Sequence, residues 1–266
     1  MGAPGTDFSD DELDRYARHI VLRDFGGVAQ ARLKAARVTV VGAGGIGCPA
    51  IQYLSAGGVG SLRIIDDDVV SLSNLHRQTL YTSADIGRPK VSVAAERIAA
   101  LNPNVAVEPQ TQRITANTAA ALIAGSDVVI DGTDTFHTRG LVSDACTAAH
   151  IPLVSAAIGQ FQGQVGTYRG WEADKPCYRC LVGDAHDPND CDDCATVGVL
   201  GAMVGMVGAF AAMEAIRALT GFGQDAAGKL HIIDGLSPGW RTMTLPKDPG
   251  CWGCALPTGA VNLDAR

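Results

Sequence analysis

The chain has 266 residues, 47% of them hydrophobic, which is enough for one large α/β domain with a sizeable core. Its 21 basic and 28 acidic residues give a net charge of -7, and an acidic chain is a poor binder of nucleic acid or anionic membranes. Residues 1–12 are polar and acidic without an apolar segment, so we expect no signal peptide and a cytoplasmic protein.

The first predicted element is an N-terminal helix. Ser9 and Glu12 have the spacing of a capping box, and apolar residues then recur at helical intervals. We expect this helix to run to about Asp24 and to end before the pair Gly26-Gly27.

Strands and helices then alternate along the chain. Short β-branched or apolar runs predict strands at residues 37–41, 62–66, 105–108, 127–131 and 153–157. Helices are predicted from 47 to about 56, from 90 to 101, and from about 135. This alternation predicts an α/β fold, a doubly wound, Rossmann-like and largely parallel sheet.

The pattern changes after residue 158. Residues 164–168, 229–234 and 240–245 predict antiparallel strands, and residues 170–196 predict a long loop. Residues 197–213 are apolar, which is typical of a membrane span or a buried helix. We favour the buried helix, because the run is shorter than about 20 residues and Glu214 and Arg217 follow it. We predict an N-terminal helical segment at 1–36, a single main domain at 37–254 and a tail at 255–266.

A glycine motif follows the first strand of the predicted sheet. Gly42, Gly44 and Gly47 form G-x-G-x-x-G, with Gly45 inside it, and Asp66 ends the next strand. Such glycines let the backbone approach a nucleotide, while the carboxylate accepts hydrogen bonds from ribose hydroxyls. The motif is compatible with NAD or ATP, and the alternative is a purely structural turn.

Polar residues near this motif favour a triphosphate. Asn74 and Arg77 follow the second strand, and Lys90 opens the next helix. Arginine and lysine are the side chains that bind phosphate, although a solvated loop would carry similar charges. Asp134 follows the fourth strand, where it could hold Mg²⁺ or cap the next helix; its position alone favours the cap.

Six of the eight cysteines fall in three Cys-x-x-Cys pairs: Cys177/Cys180, Cys191/Cys194 and Cys251/Cys254. This spacing in a cytosolic chain predicts metal binding or redox chemistry, and any two pairs could form a Cys₄ zinc site. Cys48 and Cys146 fall inside predicted helices, so we expect them in the core.

From about Ser9 to Cys254 the sequence resembles the ThiF/MoeB/HesA family, bacterial relatives of ubiquitin-activating E1 enzymes. The resemblance is carried by Arg15-Tyr-Ala-Arg18, the glycine motif, residues 66–78, Lys90, Thr133-Asp134 and the outer cysteine pairs. The run Ser71 to Gln78 is the most specific part and looks closest to the MoeB, or molybdopterin-synthase adenylyltransferase, branch. Two positions depart from the family pattern: Gly132 stands where Cys is frequent, and Thr135 where Asn is usual. Arg139 matches.

The resemblance implies ATP-dependent adenylation of the C-terminal carboxylate of a ubiquitin-like sulfur carrier of the MoaD/ThiS type, ending in Gly-Gly. It implies that Gly42, Gly44, Gly45 and Gly47 cradle ATP, that Asp66 binds its ribose, and that Asn74, Arg77 and Lys90 contact its phosphates. Asp134 would hold Mg²⁺, and Arg18 would reach the partner's site in a homodimer. Residues 1–36 would then be a dimer arm, and residues 37–254 one ATP-binding adenylation domain that includes the zinc site. The outer pairs, Cys177, Cys180, Cys251 and Cys254, would bind Zn²⁺, and Cys194 would attack the adenylate or take part in sulfur transfer. Sulfur would come from a separate cysteine desulfurase or rhodanese.

Three other functions remain open at the level of sequence. One is adenylation of a carboxylate on modified tRNA, which the net acidity and the cysteine pairs disfavour. Another is a non-catalytic scaffold that recruits a ubiquitin-like partner, which the set Arg18, Arg77, Lys90 and Asp134 disfavours. An NAD dehydrogenase is the third, and the phosphate-binding cluster argues against it.

Overall fold

One mixed sheet runs through the part of the chain that the structure, a computed structural model, describes: residues 7–183, 198–237 and 239–255. Its strands are β1 (Arg37–Val41), β2 (Ser61–Ile65), β3 (Ala106–Gln110), β4 (Val128–Asp131), β5 (Leu153–Gly159), β6 (Gln162–Tyr168), β7 (Lys229–Asp234) and β8 (Gly239–Thr244). Their order is β3-β2-β1-β4-β5-β6-β7-β8, parallel from β3 to β5 and antiparallel from β5 to β8. The predicted Rossmann-like fold with an antiparallel portion is therefore confirmed.

Helices cover both faces of this sheet. They are α1 (Asp10–Ile20), α2 (Gly26–Ala35), α3 (Gly47–Gly57), α4 (Lys90–Leu101), α5 (Ala119–Ile123), α6 (Phe136–Ala149), α7 (Arg179–Val182) and α8 (Gly201–Thr220). One apolar cluster lies between the sheet and α3, α4 and α8, and a second lies between the sheet and α5 and α6. β1 is buried over four of its five residues, because it lies in the parallel part of the sheet with helices on either side.

The N-terminal segment differs from the prediction in one respect. The capping box is present, since the Ser9 amide donates to Glu12 Oε2 at 2.9 Å and the Glu12 amide donates to Ser9 Oγ at 3.2 Å. However, α1 ends at Ile20, and Gly26 begins a second helix, α2, where a break was predicted. The side chain of Gln30, buried inside α2, donates from Nε2 to the Gly57 carbonyl at 2.8 Å. A polar residue on the buried face interrupts the helical spacing of apolar residues that would predict α2. Tertiary contacts therefore determine that this segment is helical.

Helix α8 is a core helix. Within the described residues it alone is long and apolar enough, by length and composition, to cross a membrane. It packs on α3 and across β4, β5 and β6, and it buries Glu214, whose carboxylate accepts from Arg217 Nε at 3.1 Å. These contacts support the buried-helix interpretation.

Asn102 connects three helices just beyond the end of α4. Its side chain is fully buried, and Nδ2 donates to the Tyr16 hydroxyl of α1 at 2.8 Å and to the Ser55 carbonyl of α3 at 2.7 Å. The Asn104 amide donates to Asn102 Oδ1 at 3.3 Å. The side chain therefore makes hydrogen bonds to buried polar groups, which the apolar side chains around it cannot do.

We expect Asn102→Ala to lower the free energy of unfolding by about 2–3 kcal/mol, because it leaves buried polar groups without partners. Chemical denaturation monitored by circular dichroism measures this. The control is Asn104→Ala, which removes an exposed side chain and keeps the backbone donor. Equal stability of the two variants would contradict the assigned role of Asn102.

Candidate functional site

A cavity of about 580 Å³ opens at the carboxyl ends of the parallel strands. The loops that follow β1, β2, β3 and β4 all contribute to its wall. β1 lies between β2 and β4, so the chain leaves the sheet centre in opposite directions on its two sides. This reversal of strand order is where open α/β sheets bind ligands.

The glycine motif forms the tight turn between β1 and α3. Gly42 has a φ of 88°, in the left-handed region that favours glycine. A Cβ on Gly47 would lie 1.9 Å from the Gly42 carbonyl oxygen, so only glycine permits this approach. Gly42, Gly44 and Gly45 line the cavity, whereas Gly47 lies behind the turn and begins α3. No side chain among the described residues caps α3, which leaves its N-terminus available to an anion.

Asp66 is fixed at the edge of the cavity by two backbone donors. The Ala43 amide donates to Asp66 Oδ2 at 2.7 Å, and the Asp68 amide donates to Oδ1 at 2.8 Å. Burial raises the pKa of Asp66, while the charge of Lys90 and these two donors oppose the rise. The carboxylate is thus held in one orientation beside the glycine turn.

Lys90 brings a buried positive charge to the cavity. Its side chain is 4% exposed, and Nζ donates to Asp68 Oδ2 at 2.8 Å. The Lys90 amide also donates to the Asp68 carbonyl at 3.0 Å. A buried ammonium needs an anionic partner, and the exposed Asp68 carboxylate is one that a phosphate oxygen could replace.

Asn74 and Arg77 belong to a turn on the same wall. The amides of Arg77 and Gln78 donate to the Asn74 carbonyl at 3.0 and 2.9 Å. The Arg77 guanidinium donates to the Ser73 carbonyl at 3.1 Å, and both Asn74 and Arg77 line the cavity. Gln78 is buried, and its Oε1 has no hydrogen-bond partner among the described residues.

Asp134 reaches the cavity from the loop after β4. Thr135, rather than Asp134, caps α6, because its side-chain oxygen accepts from the Thr138 amide at 3.2 Å. The cap role that position alone favoured for Asp134 is therefore wrong. Behind it the fully buried Asp131 accepts from the Thr133 amide at 3.0 Å and from Ser155 Oγ at 3.1 Å. Asp134 itself is exposed and lines the cavity.

Two cavity-lining features were not predicted. Residues 112–116, after β3, form one wall, and the Arg113 guanidinium there donates to Asp67 Oδ2 at 3.0 Å. The rule that ligands bind beyond the carboxyl ends of parallel strands would have included this loop. Arg139, noted only as a family match, is buried against the cavity and donates to the Thr133 carbonyl.

The remaining predicted site residues lie elsewhere. Arg18 is exposed on α1 and does not line the cavity of its own chain. Cys194, like Cys191, falls outside the described residues. Cys48 and Cys146 are buried as expected, and burial raises the pKa of the Cys48 thiol to about 12, which makes it unreactive.

The outer cysteine pairs converge away from the cavity. The four sulfurs of Cys177, Cys180, Cys251 and Cys254 all lie within 4.8 Å of one another. Three of the separations are 3.9, 3.6 and 3.4 Å. A tetrahedral zinc site with Zn–S bonds of about 2.3 Å separates its sulfurs by about 3.8 Å. The cluster is therefore compatible with one zinc ion.

Arg179 attaches this cysteine cluster to α6. Its Nε and Nη2 each donate to the buried Asp144 carboxylate at 2.7 Å, and its guanidinium lies 4.2 Å from the Trp252 ring centroid. Arg179 lies between the first two cysteines and Trp252 between the last two. The same helix begins beside Asp134, so the cluster and the cavity share one structural element.

This chain is similar to known proteins over most of its length. The model of the ThiF family matches residues 16–253. The "SAMP-activating enzyme E1" of Haloferax volcanii is 46% identical over 91% of this chain and 89% of its own length. The "Sulfur carrier protein adenylyltransferase" of Thermus thermophilus is 43% identical over 92% and 91%, and the "Molybdopterin-synthase adenylyltransferase" of Escherichia coli 41% over 93% and 98%.

Solved structures agree on the fold. The crystal structure of Escherichia coli MccB with ATP superposes with a TM-score of 0.79 at 22% identity, over 91% of this chain and 75% of that one. At this identity the likeness concerns the fold alone. The family model and the curated relatives lead to the same assignment as the motifs did: the chain belongs to the ThiF family.

Proposed function

We propose that this chain uses ATP and Mg²⁺ to adenylate the C-terminal carboxylate of a small ubiquitin-like sulfur carrier that ends in Gly-Gly. The predicted enzyme class, an adenylyltransferase, is confirmed by relatives that are named as adenylyltransferases, among them those of Thermus thermophilus and Escherichia coli. The observation that carries the proposal is one cavity that gathers the glycine turn, Asp66, the buried Lys90, Arg77 and Asp134. A separate cysteine desulfurase or rhodanese would supply sulfur to the activated carrier.

The cavity residues fit ATP as a substrate. The glycine turn and the free N-terminus of α3 offer backbone donors to phosphate oxygens, and Asp66 offers acceptors to the ribose hydroxyls. Lys90, Arg77 and Asn74 would hold the α-phosphate and the leaving pyrophosphate. Asp134 has a carboxylate with no hydrogen bond to the described part of the chain, so it can hold Mg²⁺, which would neutralise phosphate charge.

The chemistry needs no general base, because the attacking carboxylate is already ionised at neutral pH. One of its oxygens bonds to the α-phosphorus while the bond from that phosphorus to the bridging oxygen breaks. Pyrophosphate leaves with the electron pair, and the carrier becomes an acyl-adenylate. Positioning and charge stabilisation by Lys90 and Arg77 are then the main contributions of the protein.

An assay of ATP–pyrophosphate exchange distinguishes the proposed function from two others. Adenylation of a carboxylate on tRNA predicts ATP–pyrophosphate exchange that requires RNA, which the net charge of -7 disfavours. A non-catalytic scaffold predicts no exchange with any partner. Exchange that depends on a Gly-Gly carrier supports the proposal, and its absence with a panel of such carriers would overturn it.

Asp134→Ala should reduce carrier-dependent exchange of labelled pyrophosphate into ATP by at least about 100-fold, because it removes the proposed Mg²⁺ ligand. Circular dichroism should show an unchanged fold, since Asp134 is exposed and is not the helix cap. The matched control is Asp174→Ala, an exposed acidic residue outside the cavity, which should keep full exchange. Near-normal exchange in Asp134→Ala would exclude the metal role.

We propose that the active form is a homodimer with Arg18 acting in the partner's cavity. An apolar groove of about 600 Å³ lies between the end of α1, α3 and α8, and Tyr53, Met213 and Phe222 line it. Around it Val21 and Leu22 are 73% and 53% exposed. Large exposed apolar patches mark association surfaces, and Arg18 on neighbouring α1 does not reach its own cavity.

Subunit mixing tests this arrangement. Arg18→Ala and Asp134→Ala should each be inactive, but a mixture of the two after random exchange should recover about a quarter of wild-type activity. Half of the dimers would then be hybrids with one intact site each. Native mass spectrometry of subunits of different mass verifies the exchange. An inactive mixture with proven hybrids would place Arg18 outside the partner's site.

We propose that Cys177, Cys180, Cys251 and Cys254 hold one structural zinc. Elemental analysis should find one zinc per chain, and Cys251→Ser should lose it together with thermal stability, because the ion connects two distant segments. Cys191→Ser is the matched control, since it alters the pair assigned no metal, and should keep the zinc. Full occupancy in Cys251→Ser, or loss in Cys191→Ser, would show that the ligands are misassigned. The reactive role of Cys194 stays a prediction.

A further inference from the structure

The peptide units around Ala43 are held on both sides. The Ala43 amide donates to Asp66 Oδ2 at 2.7 Å. The Ala43 carbonyl accepts from the Tyr81 hydroxyl at 2.8 Å and from the Cys48 thiol at 3.5 Å. Ala43 lies inside the glycine turn, between Gly42 and Gly44, where the backbone has the greatest freedom to rotate.

Tyr81 is built into the core as a hydrogen-bond donor. It is 4% exposed, and its amide donates to the Gln78 carbonyl at 3.2 Å, so the backbone from which it extends is fixed. Burial, with smaller contributions from Cys48 and Asp66, raises the pKa of Tyr81 well above its usual value. The hydroxyl therefore remains protonated, and its single proton goes to the Ala43 carbonyl.

This hydrogen bond also fixes a donor on the cavity side. The Ala43 carbonyl and the Gly44 N–H belong to one trans peptide plane, in which the two groups point in opposite directions. Because the carbonyl points towards the buried Tyr81, the Gly44 N–H points away from the core. Gly44 lines the cavity, and its amide has no hydrogen-bond partner among the described residues.

We propose that Tyr81 is a positioning residue for the nucleotide, which holds the Ala43–Gly44 peptide so that the Gly44 N–H faces a phosphate oxygen. The inference rests on the proposed binding of ATP in this cavity. Without the hydroxyl, the Ala43 carbonyl keeps only the weak thiol donor of Cys48 at 3.5 Å. The peptide can then rotate through ψ of Ala43 and φ of Gly44, and the donor is presented in only part of the population. The lost population appears as weaker phosphate binding.

Tyr81→Phe removes one oxygen and keeps the ring that packs in the core. Isothermal titration with a non-hydrolysable ATP analogue should give a Kd about three- to tenfold above that of the wild type, the effect of about one neutral hydrogen bond. The KM for ATP should rise by a similar factor with kcat close to wild type. Competition by adenosine, which has no phosphate, should be unchanged.

Tyr16→Phe is the matched control. The Tyr16 hydroxyl is also buried and accepts a hydrogen bond from Asn102 Nδ2, but it lies outside the cavity. It should lower stability without changing the Kd of the analogue. Hydrogen exchange followed by mass spectrometry should be faster in the peptide around residues 42–48 for Tyr81→Phe only, which separates a local effect from a global one.

Four results would overturn the inference: an unchanged Kd in Tyr81→Phe, an equal loss of adenosine binding, an equal effect of Tyr16→Phe on the Kd, or unchanged exchange around residues 42–48. A wild type that binds no ATP analogue would refute the proposed function itself. If the wild type does bind the ATP analogue, any of the four results would refute only the role of Tyr81.

Discussion

The close approach of Gly47 to the carbonyl oxygen of Gly42 is the contact on which the site depends. A side chain at Gly47 would collide with that oxygen, so glycine alone lets α3 begin directly above the end of β1. The short turn directs the N-terminus of α3 and the amides of the turn to the edge where β2 and β4 also end. A longer connection would move these donors away from Asp66 and Asp134, and the cavity would lose the wall that we propose for phosphate binding.

The charges around this turn show how an acidic protein can accept a polyanion. The chain carries a net charge of -7, yet the cavity holds Lys90, whose side chain is 4% exposed, and Arg77 beside it. A positive charge shielded from water interacts more strongly with a phosphate than one on the surface. Asp68 keeps Lys90 paired and at the same time donates its amide to Asp66, so the proposed ribose and phosphate contacts form one connected network.

The cysteine cluster and α8 show two ways in which distant segments become part of one core. Arg179 joins the cysteine cluster to α6 through two hydrogen bonds to the Asp144 carboxylate. Helix α6 also places Arg139 in the cavity wall. Helix α8 packs one face on α3 and the sheet, while Met206 and Met213 remain exposed on it. Its inner face is apolar because it is buried in the core, and its exposed apolar residues belong to the surface that we propose as the dimer contact.

Local patterns in the sequence determined the strand–helix alternation, the capping box, the glycine turn and the cysteine spacing, because each depends on residues close together in the chain. The fold class and the pairing of Gly42 with Asp66 follow from these patterns and from the rule for parallel strand ends, whereas the site roles of Lys90 and Asp134 came from the family resemblance. Helix α2 was missed, because its buried Gln30 obscures the apolar period. Only the tertiary structure decided that Thr135 caps α6 in place of Asp134 and that residues 112–116 line the cavity. It also brought together the outer cysteine pairs, which the spacing left open and the family resemblance had selected, and placed the Tyr81 hydroxyl against Ala43. These features join residues that are far apart in sequence, and their contacts depend on how helices pack across the sheet, which no local pattern encodes.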